Sequence, residues 1–496
     1  MSPVLLFSFV IAYFAILLIV ANRTSRNSNN ESFFIGNRSS NWMLVAFGMI
    51  GTSLSGVTFV SVPGTVGPSA FAYFQVVIGY FIGYFIIAYV LLPLYYRLNL
   101  TSIYNYLLQR FGLASYKTGA LFFLISRTLG ATARLYLVIN VLQIFILDQM
   151  QVPFWVTTFI ILLMVLMYTF KGGVKTIVWT DTLQTTGMLL GLIICVIYIM
   201  TNLDLSFGET MTSLNTNGYT KIFNTDPNSP GFFLKQIIGG IFITVAMTGL
   251  DQEMMQKNIS VRTLKDSQKN MITFSFIIVV VNFLFLLLGG LLYLYASANG
   301  IETKGDDLFP TVALQHLPQF IGIIFIIGLI SALFPSADGA ITALTSSFCI
   351  DILGIKRRSE LDEAAQIRTR KIVHISMAIV FMICVMIFKV IDNKSIITVI
   401  LKLAGYTYGP LLGLFSFGIL TNRKLNEKLV TFVCLAAPLI CFAIEYFQKD
   451  LLGQFQIGIE LLIINGLLTF IGLYLISKPV NISPEVKSIL QDDLGK

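Results

Sequence analysis

Thirteen apolar segments separated by short polar linkers account for most of this 496-residue chain. Each segment is long enough to cross the hydrocarbon core of a bilayer as a helix, which takes roughly 17–25 residues. As helices, these segments satisfy their backbone hydrogen bonds internally, which hydrocarbon requires. We therefore expect an all-α integral membrane protein. The segments cover residues 3–21, 42–66, 71–96, 118–147, 153–170, 178–201, 233–251, 271–296, 319–349, 372–391, 396–420, 430–447 and 455–477.

The charge distribution predicts how the chain lies in the membrane. Only 12% of the residues are charged, against about 25% in soluble domains. Most of the 33 Lys and Arg residues fall in alternate linkers and the C-terminal tail, which predicts an outer N-terminus and an inner C-terminus. Nucleic acid is not expected as a partner despite the net charge of +8. The opposite linkers hold only Lys221, Lys304, Lys389, Lys394 and Lys449. On the cytoplasmic side, the residues predicted to anchor the protein near anionic lipid include Lys257, Arg262, Lys265 and Lys269.

The segment 42–66 has an unusual centre for a membrane helix, because it combines glycine with several hydroxyl residues. A weakened helix at this depth is tolerated where it lines a polar cavity or packs on protein. A break near Leu54 would expose carbonyl oxygens, which hard cations prefer as ligands. The alternative is that small residues let helices pack closely. The candidate oxygens are the carbonyls of Gly51 and Leu54 and the hydroxyls of Ser53, Ser55 and Thr58.

A second anomaly lies in the segment 319–349. Pro335 lacks an amide hydrogen, so we expect the helix to bend or open there and to release the carbonyls of Ser331 and Ala332. Ser336 adds a hydroxyl and Asp338 a carboxylate, which is costly inside a membrane and marks a candidate functional site. The alternative for the acid is a structural cap. Two interrupted helices in two halves of a chain point to the binding site of a transporter.

Two arginines lie on one face of the segment 118–147. Arg127 and Arg134 must face protein or water rather than lipid. One of them can bind a substrate carboxylate in bidentate fashion, while the other pairs with Asp338, Asp181 or Asp251. An internal ion pair alone is the competing interpretation. Asp251 is also kept as a candidate contact of the solute.

Two further places remain open between a structural and a functional interpretation. Asp181 either pairs with Lys175 or a helix end, or faces a permeation path. Near the outer end of the eleventh segment, Gly405 to Pro410 combines glycines, a proline and aromatic rings, which suits a hinge. We expect Tyr406 and Tyr408 to act as a gate, although aromatic residues are also common at this depth.

No catalytic pattern is found along the chain. His316 and His374 are isolated, and the sequence holds no phosphate-binding loop, zinc-binding motif or nucleophile elbow. We therefore expect no enzyme activity, no cofactor and no metal besides sodium. Concentrative transport by such a chain must draw on an ion gradient.

Several motifs occur in a fixed order within these segments. They are Phe33-Phe34-Ile35-Gly36-Asn37-Arg38, then Gly172-Gly173 with Trp179-Thr180-Asp181 and Gln184, then Gly249 with Asp251-Gln252 and Gln256, and a ninth segment ending at Asp351. In this order the chain resembles the sodium/solute symporters, which include sodium-coupled glucose, proline and sialic acid carriers. The resemblance runs over most of the chain.

The resemblance implies a LeuT-type fold in one transmembrane domain over residues 1–496. Two inverted five-helix repeats, 42–201 and 233–420, would enclose the site. One helix, 3–21, would precede them, and two helices within 430–477 would follow.

It also implies an ion site between the first and eighth core helices. The sodium ligands would be the carbonyls of Gly51, Leu54 and Ala332 and the hydroxyl of Ser336. Pro335 stands where the family has another hydroxyl, so Asp338 would serve as a ligand or as a proton acceptor. Asp181 matches an acid that binds a second sodium in some relatives.

For the solute, the resemblance to the sialic acid carriers implies contacts from Ser53, Ser55, Thr58 and Gln75. Their arginine falls close to Gly130, so Arg127 or Arg134 would replace it. We expect uptake of a small polar solute with sodium by alternating access across a bacterial inner membrane. A sugar acid such as sialic acid is favoured, a neutral sugar or an amino acid stays open, and no obligatory protein partner is expected.

Two alternatives belong to other mechanisms or classes. Pro335 and Asp338 are also compatible with a proton-coupled or uncoupled carrier. A membrane sensor or channel is the second alternative, and the absence of a signalling domain after Lys478 counts against the sensor.

Overall fold

The computed structural model describes residues 3–25, 30–357, 362–391 and 396–479, which are almost entirely helical. The first half contains α1 (Pro3–Thr24), α2 (Asn30–Ile35), α3 (Trp42–Ser53), α4 (Gly56–Ser69), α5 (Tyr73–Ile86), α6 (Leu92–Arg97), α7 (Asn105–Arg110), α8 (Leu113–Leu142), α9 (Phe154–Asn202) and α10 (Phe207–Thr216). The second half contains α11 (Phe233–Thr244), α12 (Gln252–Ile259), α13 (Leu264–Ala298), α14 (Leu308–Thr311), α15 (Gln319–Ser347), α16 (Glu363–Ile391), α17 (Ile396–Thr407), α18 (Gly409–Leu420), α19 (Glu427–Tyr446), α20 (Gln448–Leu452) and α21 (Leu461–Leu475). Two short strands, β1 (Arg423–Leu425) and β2 (Ser477–Pro479), pair antiparallel.

Each predicted apolar segment coincides with helix in this structure. Within the described ranges, eight helices are long and apolar enough to cross a membrane, and two bent pairs raise that number to ten. Three further apolar helices are shorter, namely Trp42–Ser53, Phe154–Phe170 and Leu461–Leu475. The all-α membrane architecture is therefore confirmed. The number of thirteen crossings and the orientation of the termini stay predictions, and Lys394 and the tail after residue 479 lie outside the described residues.

The predicted break in the segment 42–66 is confirmed. Helix α3 ends at Ser53, Leu54 has φ −91° and ψ 81°, and Ser55 is extended before α4 begins at Gly56. Glycine and serine have low helix propensity, and serine hydroxyls compete for backbone hydrogen bonds. The chain therefore leaves the helix at its weakest point, while both flanking pieces stay buried.

A second break lies where the sequence analysis placed only the inner end of a span. A π-helical turn, Val245–Gly249, follows α11, and the chain then bends by 65° into α12. Asp251 caps α12, because its side chain accepts hydrogen bonds from the amides of Glu253 and Met254. Capping of this kind satisfies donors that a buried helix start would leave unpaired.

We expected the helix to bend or open at Pro335, and the opening is wrong. Helix α15 runs without interruption from Gln319 to Ser347 and keeps helical dihedral angles through the proline. Proline removes only one backbone hydrogen bond, and every residue from Gly328 to Ser347 is buried by neighbouring helices. Packing against α9, α3, α4 and α1 thus keeps the helix continuous.

The chain changes direction at two further places, and the sequence analysis expected a hinge at the second of them. Helix α9 contains Gly173 with φ 51° and ψ −142°, which separates the two predicted apolar segments. Helices α17 and α18 meet at Tyr408 with a bend of 46°, within the predicted hinge region.

The residues predicted as cytoplasmic anchors differ in their exposure. Arg262, Lys265 and Lys269 are exposed, as expected. Lys257 is instead only 3% exposed, because α12 turns back into the protein after its break. Its assignment to the lipid surface is therefore wrong.

Candidate functional site

A central cavity lies at the break between α3 and α4. Its volume is about 90 Å³, and it is also lined by residues of α5, α8, α11, α13 and α17. The predicted hydroxyls of the broken helix and both predicted arginines meet there. The polar lining consists of Thr52, Ser53, Ser55, Thr58, Tyr73, Tyr80, Tyr84, Arg127, Arg134, Thr244, Thr248 and Asn282.

The two arginines differ in what surrounds them. Arg127 forms a buried ion pair with Glu253, and its Nη1 lies 3.8 Å from Asp251 Oδ2. Arg134 lines the same cavity, yet none of the ion pairs among the described residues includes it. Arg127 therefore has its countercharge within the protein, whereas Arg134 presents a guanidinium to the cavity.

Gln75 does not reach this cavity. Its amide nitrogen donates to the carbonyl oxygens of Ala72 at 2.9 Å and Gly231 at 3.4 Å, and its Oε1 accepts the amide of Asn224 at 3.2 Å. The side chain thus ties the start of α5 to the loop before α11. It lines a second cavity instead, between α5, α17 and the loop before α11.

The predicted contact Asp251 and the predicted gate residues also lie elsewhere. Asp251 is fully buried behind Arg127 and accepts the Tyr408 hydroxyl at 2.8 Å. Tyr408 therefore connects the hinge of α17 and α18 to the start of α12. The Tyr406 hydroxyl donates to Glu445, which also pairs with Lys402 at 2.5 Å. Neither tyrosine is part of the cavity wall.

Helices α3 and α15 touch where the ion site was predicted. A Cβ added to Gly51 would lie 3.6 Å from Pro335 Cγ, and the Gly51 amide donates to Thr185 Oγ1 at 3.1 Å. Ala332 and Ser336 are buried on the same helix as Pro335. The Ser336 hydroxyl has no hydrogen-bond partner among the described residues. Because a helix end leaves its last carbonyls unpaired, α3 and Ser336 together offer free oxygen atoms.

Asp338 is buried one turn after Pro335 on α15. Its Oδ2 accepts the Tyr168 hydroxyl at 2.7 Å, and its Oδ1 accepts the amide of Gly339 at 2.5 Å. No cation in the described part of the chain lies within ion-pair distance of it. This carboxylate is held by neutral donors alone.

Asp181 is also buried, but it has a cation. Its Oδ2 lies 2.6 Å from Lys257 Nζ and accepts the Thr52 hydroxyl at 3.2 Å. The sequence analysis named Lys175 as the structural partner, and the side chain of Lys175 is outside what the structure describes. The partner that the structure shows comes from a helix 76 residues later.

Three residues that sequence reasoning missed stand between the central cavity and the second cavity. Tyr73, Ile397 and Leu401 line both spaces. The second cavity has a volume of about 530 Å³. Tyr73 precedes a predicted site residue by only two positions, but Ile397 and Leu401 resemble lipid-facing residues of any apolar helix.

Comparisons with known proteins agree with this architecture. A sequence model of the sodium:solute symporter family matches residues 33–428. The sodium/sialic acid symporter SiaT of Proteus mirabilis is 25% identical over 428 residues, which cover 82% of this chain and 83% of the relative. The sodium/sialic acid symporter NanT of Aliivibrio fischeri is 22% identical, over 89% of this chain and 87% of the relative.

Among solved structures, a substrate-bound, outward-open Na⁺-coupled sialic acid symporter superposes with a TM-score of 0.82. It is 21% identical and covers 96% of this chain and 99% of its own. Mhp1, a nucleobase-cation-symport-1 family transporter, gives a TM-score of 0.55 at 15% identity, over 91% of this chain and 95% of its own. These likenesses show a shared helical transporter fold. The chain therefore belongs to the sodium:solute symporter family and is a multi-pass membrane transporter rather than an enzyme.

Proposed function

We propose that this protein takes up a small anionic sugar acid of the sialic acid class together with sodium, by alternating access. The observation that carries the proposal is the cavity at the break of α3 and α4, where hydroxyl groups line the wall together with Arg134, which has no ion-pair partner among the described residues. A guanidinium binds a carboxylate through two parallel hydrogen bonds. Hydroxyl groups of Ser53, Ser55 and Thr58 can then bind the hydroxyls of a sugar. The two sialic acid symporters among the relatives support this class of solute.

The proposed sodium site lies between α3 and α15. Its ligands are the carbonyls of Gly51, Leu54 and Ala332 and the hydroxyl of Ser336. The unpartnered Ser336 hydroxyl supports it, because a buried hydroxyl without a partner is costly unless a ligand satisfies it. Sodium bound there would hold the two helices together and order the hydroxyls of the cavity.

We further propose thirteen membrane crossings, with the N-terminus outside and the C-terminus inside. Two repeats, 42–201 and 233–420, would form the core, with one helix before and two after. The two broken helix pairs support this arrangement, because α3 and α4 open the first repeat and α11 and α12 open the second. Access from outside would be closed by Tyr73, Ile397 and Leu401, with the hinge at Tyr408.

The experiment compares solute binding by purified protein in NaCl and in choline chloride. N-acetylneuraminic acid, its neutral methyl ester and glucose would be added, and thermal stabilisation would be recorded. We expect stabilisation by the acid only with sodium. Arg134→Ala should weaken binding of the acid roughly 10- to 100-fold, since a charged hydrogen-bonded contact contributes about 1.5–3 kcal/mol.

The neutral ester provides the matched control, because its weaker binding should change little in Arg134→Ala. An equal loss of affinity for the acid and the ester would show that Arg134 does not recognise the carboxylate. Thermal stabilisation of the same size in both salts would show that binding of the solute does not depend on sodium.

A proton-coupled carrier is the second candidate, and Asp338 favours it. Its buried carboxylate has hydroxyl and amide donors but no cation within ion-pair distance in the described ranges. Uptake into proteoliposomes driven by a pH gradient without sodium, and abolished in Asp338→Asn, would support this candidate over sodium coupling.

A further inference from the structure

Lys257 is a buried lysine on the second broken helix. The polar run that contains it, from Gln252 to Ile259, is buried throughout as α12. Lysine is almost never fully buried unless it is paired. Its surroundings therefore need to supply negative charge.

Two helices supply that charge around the Lys257 ammonium group. Its Nζ donates to Asp181 Oδ2 at 2.6 Å and to Thr52 Oγ1 at 2.6 Å, and Glu253 Oε1 lies 3.7 Å away. Thr52 also donates to the same Asp181 oxygen at 3.2 Å. The ammonium group thus has a carboxylate and a hydroxyl within hydrogen-bond distance, which are also the ligand types of a hard cation.

The backbone around this group is built closely against the carboxylates. A Cβ added to Gly48 would lie 3.1 Å from Asp181 Cβ, and one added to Gly339 would lie 2.3 Å from Glu253 Oε1. Glycine at both positions therefore lets the acids approach α3 and α15. Asp181 itself is fully buried, and Lys257 is the cation that pairs with it among the described residues.

One positive charge satisfies Asp181, and a second cation at the same oxygen would be repelled by the ammonium group. The resemblance to the sodium/solute symporters implies a second sodium at this acid in some members, and such a site would need the carboxylate to be free. Thr52 connects the ammonium group to the solute cavity, because its side chain also lines the cavity wall next to Gly51.

We propose that the ammonium group of Lys257 is a built-in cation that takes the place of a second sodium beside Asp181. The protein then binds one sodium ion, at the site between α3 and α15, and transports one sodium per solute. This inference rests on the proposed function and fixes its stoichiometry. It also makes Asp181 a positioning residue for Lys257 rather than a ligand of the transported ion.

The experiment counts sodium sites directly by equilibrium binding of radioactive ²²Na⁺ to purified protein. We expect one saturable site in the wild type and two in Lys257→Met, because removal of the ammonium group frees Asp181 for sodium. The matched control is Lys257→Arg, which keeps the positive charge and should keep one site. The double variant Lys257→Met with Asp181→Asn removes both charges and should return to one site.

Two results would overturn the inference while leaving the proposed function intact. One is two sites in the wild type with one of them lost in Asp181→Asn. The other is a single site in a folded Lys257→Met protein. If Lys257→Met does not fold, the wild-type count and the double variant still decide between one site and two. No saturable sodium site in the wild type would instead reject sodium coupling itself.

Discussion

The two broken helix pairs of this protein differ in their chemistry. The break between α3 and α4 is made of glycines, hydroxyls and free carbonyls, and no charged residue lies within either helix. The start of α12, after the second break, carries Asp251, Glu253 and Lys257 within seven residues. All three are buried, and each has a partner of opposite charge.

This difference distinguishes a break that can bind and release a ligand from one whose charged groups are held in place. Neutral oxygens at the first break can take up and release a cation without leaving an unpaired charge behind. Charges at the second break are bound to one another and to α8 and α9, and separating buried partners is expensive. These contacts favour the first break as the proposed site of ion and solute, and the second as part of a fixed scaffold around it.

The largest expected effect comes from breaking the charged scaffold. Arg127→Ala leaves Glu253 with only Lys257 nearby, at 3.7 Å, and leaves Asp251 without a cation within 4 Å among the described residues. Removing one member of a buried ion pair costs about 3–5 kcal/mol. We expect a loss of this size in the free energy of unfolding, measured by denaturant titration in detergent.

Arg134→Ala is the control for that loss. It removes an arginine two turns further along α8, from the same cavity, but breaks no ion pair among the described residues. Its effect on stability should stay within about 1 kcal/mol. Similar losses in both variants would contradict the division between a fixed and a free arginine.

The next largest expected effect concerns the sodium site proposed between α3 and α15. Ser336→Ala removes a buried hydroxyl that has no protein partner in the described part of the chain. We expect sodium affinity to fall roughly 5- to 100-fold, the equivalent of about 1–3 kcal/mol. Sodium titration followed by thermal stabilisation would measure it.

Ser331→Ala tests whether any hydroxyl on this helix has the same effect. The Ser331 hydroxyl already donates to Tyr13 Oη at 2.8 Å, so its removal should lower stability slightly and leave sodium affinity unchanged. A loss of sodium affinity in Ser331→Ala as large as in Ser336→Ala would contradict the assignment of the ion site.

Sequence reasoning found the first break because its signal is local. Glycines and serines around Leu54 weaken the helix wherever it packs, and the structure breaks there. The same reasoning failed at Pro335, because the local cost of a proline is smaller than the packing that surrounds α15. Tertiary packing therefore decides which of two weak helices opens.

The second break was missed for a different reason. The polar run after Asp251 reads as the cytoplasmic end of a span, and hydropathy alone cannot distinguish it from a buried helix. Its burial depends on partners far away in sequence, since Glu253 pairs with Arg127 and Lys257 pairs with Asp181. Sequence analysis proposed Asp338, Asp181 or Asp251 as the partner of one arginine. Asp251 does lie 3.8 Å from Arg127, but Glu253, which forms the closer pair, was not among the three.

The smallest expected effect concerns Asp306, in the turn Gly305–Asp307 that packs against α4. Burial, with a smaller contribution from Asp307, raises the pKa of Asp306 to about 6, and its carboxylate accepts the amide of Ile396 at 3.3 Å. An acid whose pKa is raised by folding lowers stability when ionised, so stability should rise as pH falls from about 7 toward 4. Asp306→Asn should remove this pH dependence of stability, a change in the free energy of unfolding of roughly 1 kcal/mol or less. It should leave sodium affinity unchanged. Melting temperatures of both proteins between pH 8 and pH 5 would measure the difference. If the pH dependence of stability is the same in Asp306→Asn as in the wild type, ionisation of Asp306 does not affect the stability of the turn that packs against α4.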